Sequence, residues 1–439
     1  MSERLRTLDF WTGLLLVGTV FAAVFDPAGS ILPHVKYAGA LLFAMLSLVA
    51  GWRTGFVSLR QYDARKLIAY VALFAVVIPV YAIGVHFARG DYPGGPWSIY
   101  VGTFLFLVLV VGGAALSGPP KRVEMAVVTA LTTLSVLVWI MPVLDVFLTR
   151  TQIDIFGAEH QLWSYQFREY GTIKLPYLYY YTSPMLVLAV CYWGYRAIRA
   201  RARSVEFAML CVTLLAFFLS GTRADMIVAV ILAGFFLWQI SRPVFAAVIP
   251  VMTFLAVVGR QSLGQIVAAH PADPGDVSSL TAQSTAKKLD YLHTYAHLFS
   301  DPVGLIFGYG TGSCLRSDAI NECLPVTELT YLDTIRLFGL LGAMVYLALF
   351  IYPLWRHLRR SHYLLAGWLA YLALAGANPY IFSTNGMTVL AAVLLGAMVV
   401  PARKEPPWTC RDARETFWSP RASAGSKQPR VEQGSERTA

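Results

Sequence analysis

Charged residues are scarce in this chain of 439 residues. Asp, Glu, Lys and Arg make up 14% of the sequence and hydrophobic residues 57%, whereas an average soluble domain is about 25% charged. This shortage excludes a single soluble globular domain. The formal net charge of +10 would indicate nucleic acid as a partner of a soluble chain, so the positions of the basic residues decide what the charge means.

Long hydrophobic runs take the place of the missing charge. Between residues 9 and 400, apolar segments recur that can each cross a hydrocarbon core about 30 Å thick. The sequence therefore predicts an all-α polytopic membrane protein with about twelve transmembrane helices. The predicted spans are residues 9–25, 35–52, 67–87, 98–116, 124–148, 176–195, 205–221, 223–240, 243–259, 329–354, 363–382 and 386–400.

With twelve spans, the basic residues fall in the connections on one side. They are Arg4, Arg6, Arg53, Arg60, Arg65, Lys66, Lys121, Arg122, Arg196, Arg199, Arg201, Arg203, Arg242, Arg356, Arg359 and Arg360. Because Lys and Arg concentrate in cytoplasmic loops, both termini are predicted to be cytoplasmic, and no nucleic acid is needed to explain the charge. The first apolar run lacks a small-residue cleavage site, so we expect it to be retained as a span.

Two long connections are predicted on the opposite, outer side, at about residues 149–175 and 260–328. They exceed the length of simple connectors, and loops of this size commonly carry function. Within the second, Leu289, Leu292 and Tyr295 have the spacing of an amphipathic helix that ends near residue 300. Residues 401–439 turn polar and basic, which predicts a disordered cytoplasmic tail.

Cysteine is also scarce, with five residues in the chain. Cys314 and Cys323 both fall in the second outer loop, where an oxidising compartment allows them to form a disulfide. Zinc is the weaker alternative because no CxxC spacing is present. His293 and His297 are four residues apart, but without a third nearby ligand they do not indicate a metal site. We expect no metal and no cofactor.

Ionisable residues at the outer ends of spans are candidate functional residues, because charge at membrane depth is costly. Arg223 opens the eighth span and offers five donors to a phosphate or carboxylate; the alternatives are a salt bridge with Asp225 or a lipid headgroup contact. Glu328 precedes the tenth span. It is either a base that accepts a proton from a hydroxyl or an ordinary charge in the first turn of a helix capped by Thr327.

Three further arginines are candidates on the same side. Arg336 is spaced to pair with Asp333 along one helix face, Arg168 lies among aromatic residues of the loop 149–175, and Arg260 ends the ninth span. Aromatic rings that stack on sugars, together with cations that hold phosphate, suit a sugar diphosphate.

These features together resemble the O-antigen ligase and polysaccharide polymerase family of bacterial inner-membrane glycosyltransferases. The matching segments are Ser-Gly-Thr-Arg at 220–223, Asp301 and Pro302 followed by residues 307–313, and residues 327–342, together with the large late outer loop. The resemblance covers most of residues 1–400. It implies a GT-C-like transmembrane glycosyltransferase domain over 1–400 whose active site faces the periplasm.

The resemblance also implies a reaction. Members transfer a glycan from undecaprenyl diphosphate to a sugar hydroxyl by metal-independent inverting displacement. Here Glu328 would be the catalytic base, and Arg223, Arg260, Arg168 and Arg336 would bind the substrate. The implied partners are the lipid-linked glycan donor, the sugar acceptor, the lipid bilayer, a polysaccharide chain-length regulator and a flippase.

The residue at position 328 distinguishes two branches of this family. Ligases carry His, usually followed by Asn, where this chain has Glu328 and Leu329. The resemblance therefore favours a polymerase that joins lipid-linked repeat units of O-antigen or exopolysaccharide. The alternatives are a ligase that transfers polysaccharide to lipid A-core and, from a different class, a lipid-linked oligosaccharide transporter, although transporters place polar binding residues near the bilayer midplane.

Overall fold

The computed structural model describes most of the predicted membrane-embedded chain and part of the second outer loop. The described residues are 3–89, 97–119, 121–147, 157, 159–160, 162–170, 173–200, 204–220, 222–243, 245–246, 280–316, 323–324, 326–358, 363–376 and 381–399. Almost all of the predicted ninth span, Arg260 and the predicted tail 401–439 lie outside them.

Helices dominate the described residues. They are α1 (Glu3–Phe25), α2 (Val35–Thr54), α3 (Ala64–Ala72), α4 (Ile78–Arg89), α5 (Trp97–Ser117), α6 (Lys121–Phe147), α7 (Leu186–Arg199), α8 (Ser204–Ser220), α9 (Arg223–Ile240), α10 (Leu280–Leu298), α11 (Pro302–Phe307), α12 (Thr330–Leu358), α13 (Tyr363–Ala375) and α14 (Thr384–Met398). A single π-helical turn, Leu73–Val77, joins α3 to α4.

Five helical segments are long and apolar enough to cross a membrane. They are Thr7–Phe25, Val35–Thr54, Ala64–Arg89, Lys121–Ile140 and Thr330–Leu358. The shorter apolar helices are Val101–Ser117, Val205–Ser220, Ala224–Ile240, Tyr363–Ala375 and Thr384–Met398. The chain is therefore a helical membrane protein, and the number of twelve spans stays a prediction.

Two antiparallel hairpins add strands to the predicted all-α architecture. Strands β1 (Trp163–Tyr170) and β2 (Ile173–Tyr180) pair with Trp163 opposite Tyr180, and the short strands β3 (Leu315–Arg316) and β4 (Cys323–Leu324) pair in the second outer loop. The predicted start of the sixth span is wrong, because residues 176–180 belong to β2 and α7 begins only at Leu186. A short apolar and aromatic run fits either a strand or a helix, and its periodicity does not separate them.

The basic connections gather at one end of the helix bundle. Arg122 of α6 pairs with Asp9 of α1 across 2.5 Å, and Nε of Arg356 in α12 donates to the Ala397 carbonyl of α14 across 3.3 Å. The end of α5 lies against Gly51 near the end of α2, and the Asp63 N–H just before α3 donates to the Met398 carbonyl of α14 across 2.9 Å. Because α6 follows α5 and α3 follows α2 after short connections, the start of α1 and the end of α14 lie at the same end, here called the basic end. The opposite end, here called the outer end, contains the start of α12.

Aromatic packing joins α12 to the π-helical turn in the bundle core. The ring of Tyr346 stacks on Phe74 and on Phe338, with centroid distances of 4.9 Å in both cases. All three side chains are buried. Offset aromatic pairs add to the stabilisation from area burial, so this cluster holds the outer part of α12 against the helix that contains α3 and α4.

A kink divides α12 close to its outer end. Gly339 has φ 66° and ψ 175° inside the helix, a conformation in the left-handed half of the map that favours glycine. Residues 340–358 alone extend about 28 Å at 1.5 Å per residue, close to the hydrocarbon thickness of about 30 Å. The segment after the kink is therefore long enough to span without residues 330–338.

Gly339→Ala is expected to destabilise the protein. Alanine at this φ costs about 1–2 kcal/mol, and its Cβ would collide with the Ile306 carbonyl oxygen, so the apparent melting temperature in detergent should fall by several degrees. The matched control is Gly84→Ala in α4, where a Cβ meets open space and alanine has the better helix propensity. Equal melting temperatures for the two variants would contradict the conclusion that the kink requires glycine at position 339.

Candidate functional site

A compact part of the second outer loop covers the start of α12. Tyr291 and Tyr295 of α10 are buried together with Leu315 of β3, against Leu329 and Leu332. The predicted amphipathic helix is thus confirmed, and Tyr295 lies on its packed face as predicted, beside Tyr291, which was not predicted there. Leu289 and Leu292, which we expected on that face, are exposed.

A buried ion pair lies at the centre of this unit. Asp333 and Arg336 are both fully buried, with Nη2 of Arg336 2.7 Å from Oδ1 of Asp333. Asp333 also accepts from the Tyr295 hydroxyl across 2.6 Å, from the Thr327 backbone N–H across 2.6 Å and from the Thr327 hydroxyl across 2.9 Å. Arg336 donates through Nη1 to the Ser313 carbonyl across 2.7 Å. One ion pair therefore joins α10, the start of α12 and the glycine-rich segment 308–314.

This arrangement changes the role predicted for Arg336. Its pairing with Asp333, expected from the spacing, is confirmed. Its guanidinium is fully buried and turned toward Asp333 and Ser313, so it contacts no substrate from this position. The correction has a physical reason: a guanidinium taken out of water requires its partners close by, because a buried charge without a counter-charge is costly. Arg336 is a structural residue of the site.

Glu328 is half-exposed immediately before α12. Its Oε2 atom lies 3.0 Å from Nζ of Lys288 in α10. The helix begins at Thr330, and the Leu329 carbonyl accepts the first helical bond, from Asp333 N–H across 2.9 Å. Glu328 therefore precedes the first turn instead of lying in it, as had been predicted. The predicted capping contact of Thr327 is present, because its hydroxyl accepts the Leu329 backbone N–H across 3.1 Å. The Glu328 carboxylate is held by a lysine and is reachable from solvent.

The Ser-Gly-Thr-Arg turn forms the start of α9. Helix α8 ends at Ser220 and α9 begins at Arg223, as predicted for the seventh and eighth spans. Thr222 and Asp225 form a capping box in which each side chain accepts a hydrogen bond from the other residue's backbone N–H. Asp225 is fully buried. The backbone of Arg223 is thus fixed at a helix N-terminus, and its side chain lies outside the described residues.

The starts of α9 and α12 lie at the same end of the bundle. Tyr371 of α13 lies within electrostatic range of Asp225. One residue further along α13, the Leu372 carbonyl accepts a hydrogen bond from the Tyr331 hydroxyl of α12 across 2.5 Å. Two of the motifs identified in the sequence, at 220–223 and 327–336, are thereby brought to the outer end around α13.

A cavity of about 700 Å³ opens between α4, α10 and the glycine-rich segment. Its lining residues are Arg89, Thr294, His297, Leu298, Asp301, Tyr309, Cys314, Leu315 and Arg316. Nη2 of Arg89 lies 2.5 Å from Oδ2 of Asp301, and the guanidinium covers the Tyr309 ring at 4.5 Å from its centroid. The Arg89 hydrogen bond holds the pKa of the Asp301 carboxyl below its usual value.

Arg89 is not among the candidate residues selected from the sequence. It lies at the outer end of the third predicted span, so the criterion that selected Arg223 would also have found it. Its partner Asp301 follows more than 200 residues later in the chain, and no local pattern connects the two. The cavity depends on this long-range contact.

For the remaining residues predicted from the sequence, the structure describes some backbone and side-chain positions but not others. Arg168 lies on β1 opposite Leu175, but its side chain is outside the described residues, as is all of Arg260. Cys314 is disulfide-bonded, while the side chain of its predicted partner, Cys323, is not among those described. The rings of His293 and His297 lie 4.6 Å apart, and within the described part of the chain no three potential metal ligands come together.

No family model, curated protein or solved structure matches this chain. Its function is therefore argued from the site and from the sequence motifs.

Arg336→Met is expected to lower the free energy of unfolding by about 3–5 kcal/mol, because Asp333 would remain buried without its counter-charge. Thermal unfolding in detergent and abundance in membranes measure this loss. The double variant with Asp333→Asn should recover part of it, since no buried charge is then left unpaired. Normal stability of Arg336→Met combined with lost activity would instead return Arg336 to a role in substrate binding.

Proposed function

We propose that the protein is a polysaccharide polymerase of the inner bacterial membrane with a GT-C-like fold. It transfers a glycan from an undecaprenyl-diphosphate donor to a sugar hydroxyl of a lipid-linked repeat unit, at the periplasmic face. The basic end of the bundle faces the cytoplasm under the positive-inside rule, and this orientation puts the unit around α10 and α12 in the periplasm.

The observation that carries this proposal is the position of the buried ionisable groups. The buried Asp, Glu, Lys, Arg and His residues among the described side chains are Asp26, Lys36, Glu124, Asp225, Asp333, Arg336 and His357. Each lies within about two turns of a helix end, and all except Glu124 and His357 lie at the outer end. A transporter concentrates such groups near the midplane. The distribution supports chemistry at the outer surface over passage through the bundle.

Glu328 has the exposure that a base for this reaction requires. It accepts the proton of the acceptor hydroxyl while that oxygen attacks the anomeric carbon, and the bond from this carbon to the donor diphosphate breaks. Arg223, Arg260 and Arg168 neutralise the charge that develops on the leaving diphosphate. Arg336 does not take part directly. Through Asp333 and Thr327 it holds the segment that contains Glu328.

The cavity beside Arg89 supports a hydroxylated ligand. A volume of about 700 Å³ falls within the range of about 300–1,000 Å³ that is common for small-molecule sites. Its lining combines cations, hydroxyl groups and an aromatic ring, which suits a short stretch of glycan. Lys288, which holds Glu328, and His297, which lines the cavity, project from different sides of α10, so we assign the cavity to glycan binding and not to the reacting bond.

Deletion of the gene in its own bacterium should leave only single repeat units on the normal glycan anchor. Gel electrophoresis of surface glycans, with wild-type complementation as control, measures the chain lengths. Loss of all anchored glycan, with long chains left on the lipid carrier, would indicate the ligase. Unchanged glycans would contradict a glycosyltransferase and favour the transporter.

Glu328→Gln should abolish the long-chain ladder at normal membrane abundance, because removal of a general base lowers the rate by about 100-fold or more. The matched control is Glu206→Gln, which neutralises a carboxylate 3.7 Å from Arg196 at the basic end and should leave the ladder intact. A complete ladder from Glu328→Gln would assign the base to another carboxylate.

Arg223→Ala should also remove the ladder, since loss of one positioned donor to a leaving group costs about 100-fold in rate. Arg242→Ala provides the control on the same helix: Arg242 follows the other end of α9 and contacts the Trp238 ring. Equal ladders from the two variants would exclude Arg223 from the reaction.

A further inference from the structure

Helix α11 presents an apolar face that no described residue covers. Val303, Ile306 and Phe307 are 56%, 40% and 48% exposed, and Pro302 is exposed beside them. Residues three and four apart share one face of a helix, so these four side chains form a continuous strip. Gly304, on the opposite side, is buried under Tyr309. All four side chains of the strip are apolar. Because Gly304 is packed under Tyr309, α11 cannot rotate to bring the strip into the protein interior.

The position of α11 along the bundle is fixed by hydrogen bonds. The Tyr81 hydroxyl of α4 donates to the Phe307 carbonyl across 2.9 Å. The next residues donate to α12: Tyr309 N–H to the Arg336 carbonyl across 2.7 Å and Gly310 N–H to the Leu337 carbonyl across 3.1 Å. These bonds hold α11 at the kink of α12, which lies within the candidate membrane span Thr330–Leu358.

The strip is flanked by exposed apolar side chains on two candidate membrane-spanning helices. Leu340 and Leu341, the first residues after the kink, are exposed, and so is Met344 one turn further along the same spanning helix. On the other flank, Phe87 near the end of α4 is 75% exposed. The polar Arg89–Asp301 pair closes the N-terminal end of α11.

We propose that α11 and Phe87 insert into the acyl-chain region of the outer leaflet. We assign lipid and not a protein as the partner of this surface, because the backbone of Ile306 and Phe307 lies against Gly339, directly before the exposed Leu340 and Leu341 of a candidate membrane-spanning helix. The second outer loop is then seated in the membrane at this point. The cavity that begins at Asp301 lies at headgroup level, where a lipid-linked ligand can enter it without leaving the bilayer.

The test is the depth of a nitroxide label at Ile306. Ile306→Cys is made in the full chain with Cys191, Cys211 and Cys410 replaced by serine, labelled, and reconstituted in nanodiscs of phosphatidylethanolamine and phosphatidylglycerol. Leu341→Cys gives the lipid reference, and His293→Cys, at an exposed position on α10, gives the water reference. Accessibility to oxygen is compared with accessibility to a water-soluble nickel chelate by electron paramagnetic resonance.

We expect the ratio of oxygen to nickel accessibility at Ile306 to match Leu341 and to exceed His293 several-fold. A ratio equal to that of His293 would overturn the proposal, because the strip would then face water. Low accessibility to both reagents would also overturn it and indicate a protein that covers the strip. A second label at Val303 checks that the result at Ile306 does not come from a disturbance of α11 by the label itself. The measurement requires no activity, so its outcome is independent of the proposed glycosyl transfer.

Discussion

The outer end of this protein depends on one buried ion pair. Asp333 and Arg336 lie three residues apart on α12, but their hydrogen bonds extend to Tyr295, Thr327 and Ser313. Taking two charges out of water is expensive and is offset only when geometry and additional hydrogen bonds are good. Here α10, the segment before α12 and the glycine-rich segment each supply at least one of those bonds. The pair therefore selects a single arrangement of α10, the segment before α12 and the glycine-rich segment.

The glycines next to this pair allow backbones to approach closely. Gly308 and Gly339 both have positive φ, and each would place a Cβ against the backbone of the other segment. A side chain at either position would separate α11 from α12 and lengthen the hydrogen bonds donated by Tyr309 and Gly310. The charge network and the glycine contacts thus stabilise the same interface by different means, one electrostatic and one steric.

Much of the helical layout could be predicted from sequence, because a segment that crosses lipid must be apolar over its whole length and must satisfy its own backbone hydrogen bonds. The turn between α8 and α9 was predicted for the same reason. Which polar side chains are buried could not be predicted from the sequence. Arg336 and Glu328 are both charged residues near the start of one span, and only contacts with α10 and with residue 313 make one fully buried and the other half-exposed. The hairpin of β1 and β2 was missed because its aromatic residues also suit a span boundary.

The π-helical turn Leu73–Val77 has a consequence for how the bundle holds together. Tyr70, Phe74, Ile78 and Ala82 are all buried, at a strict spacing of four residues that in a regular α-helix would drift around the axis by about 40° per step. A π turn contains one extra residue, and this reverses the rotation of the side chains about the helix axis. A single face of the helix therefore meets the aromatic core at Phe74 and, at the Ala82 carbonyl, the Thr311 N–H of the glycine-rich segment across 3.3 Å. A rotation of that helix about its axis would therefore disturb both contacts at once.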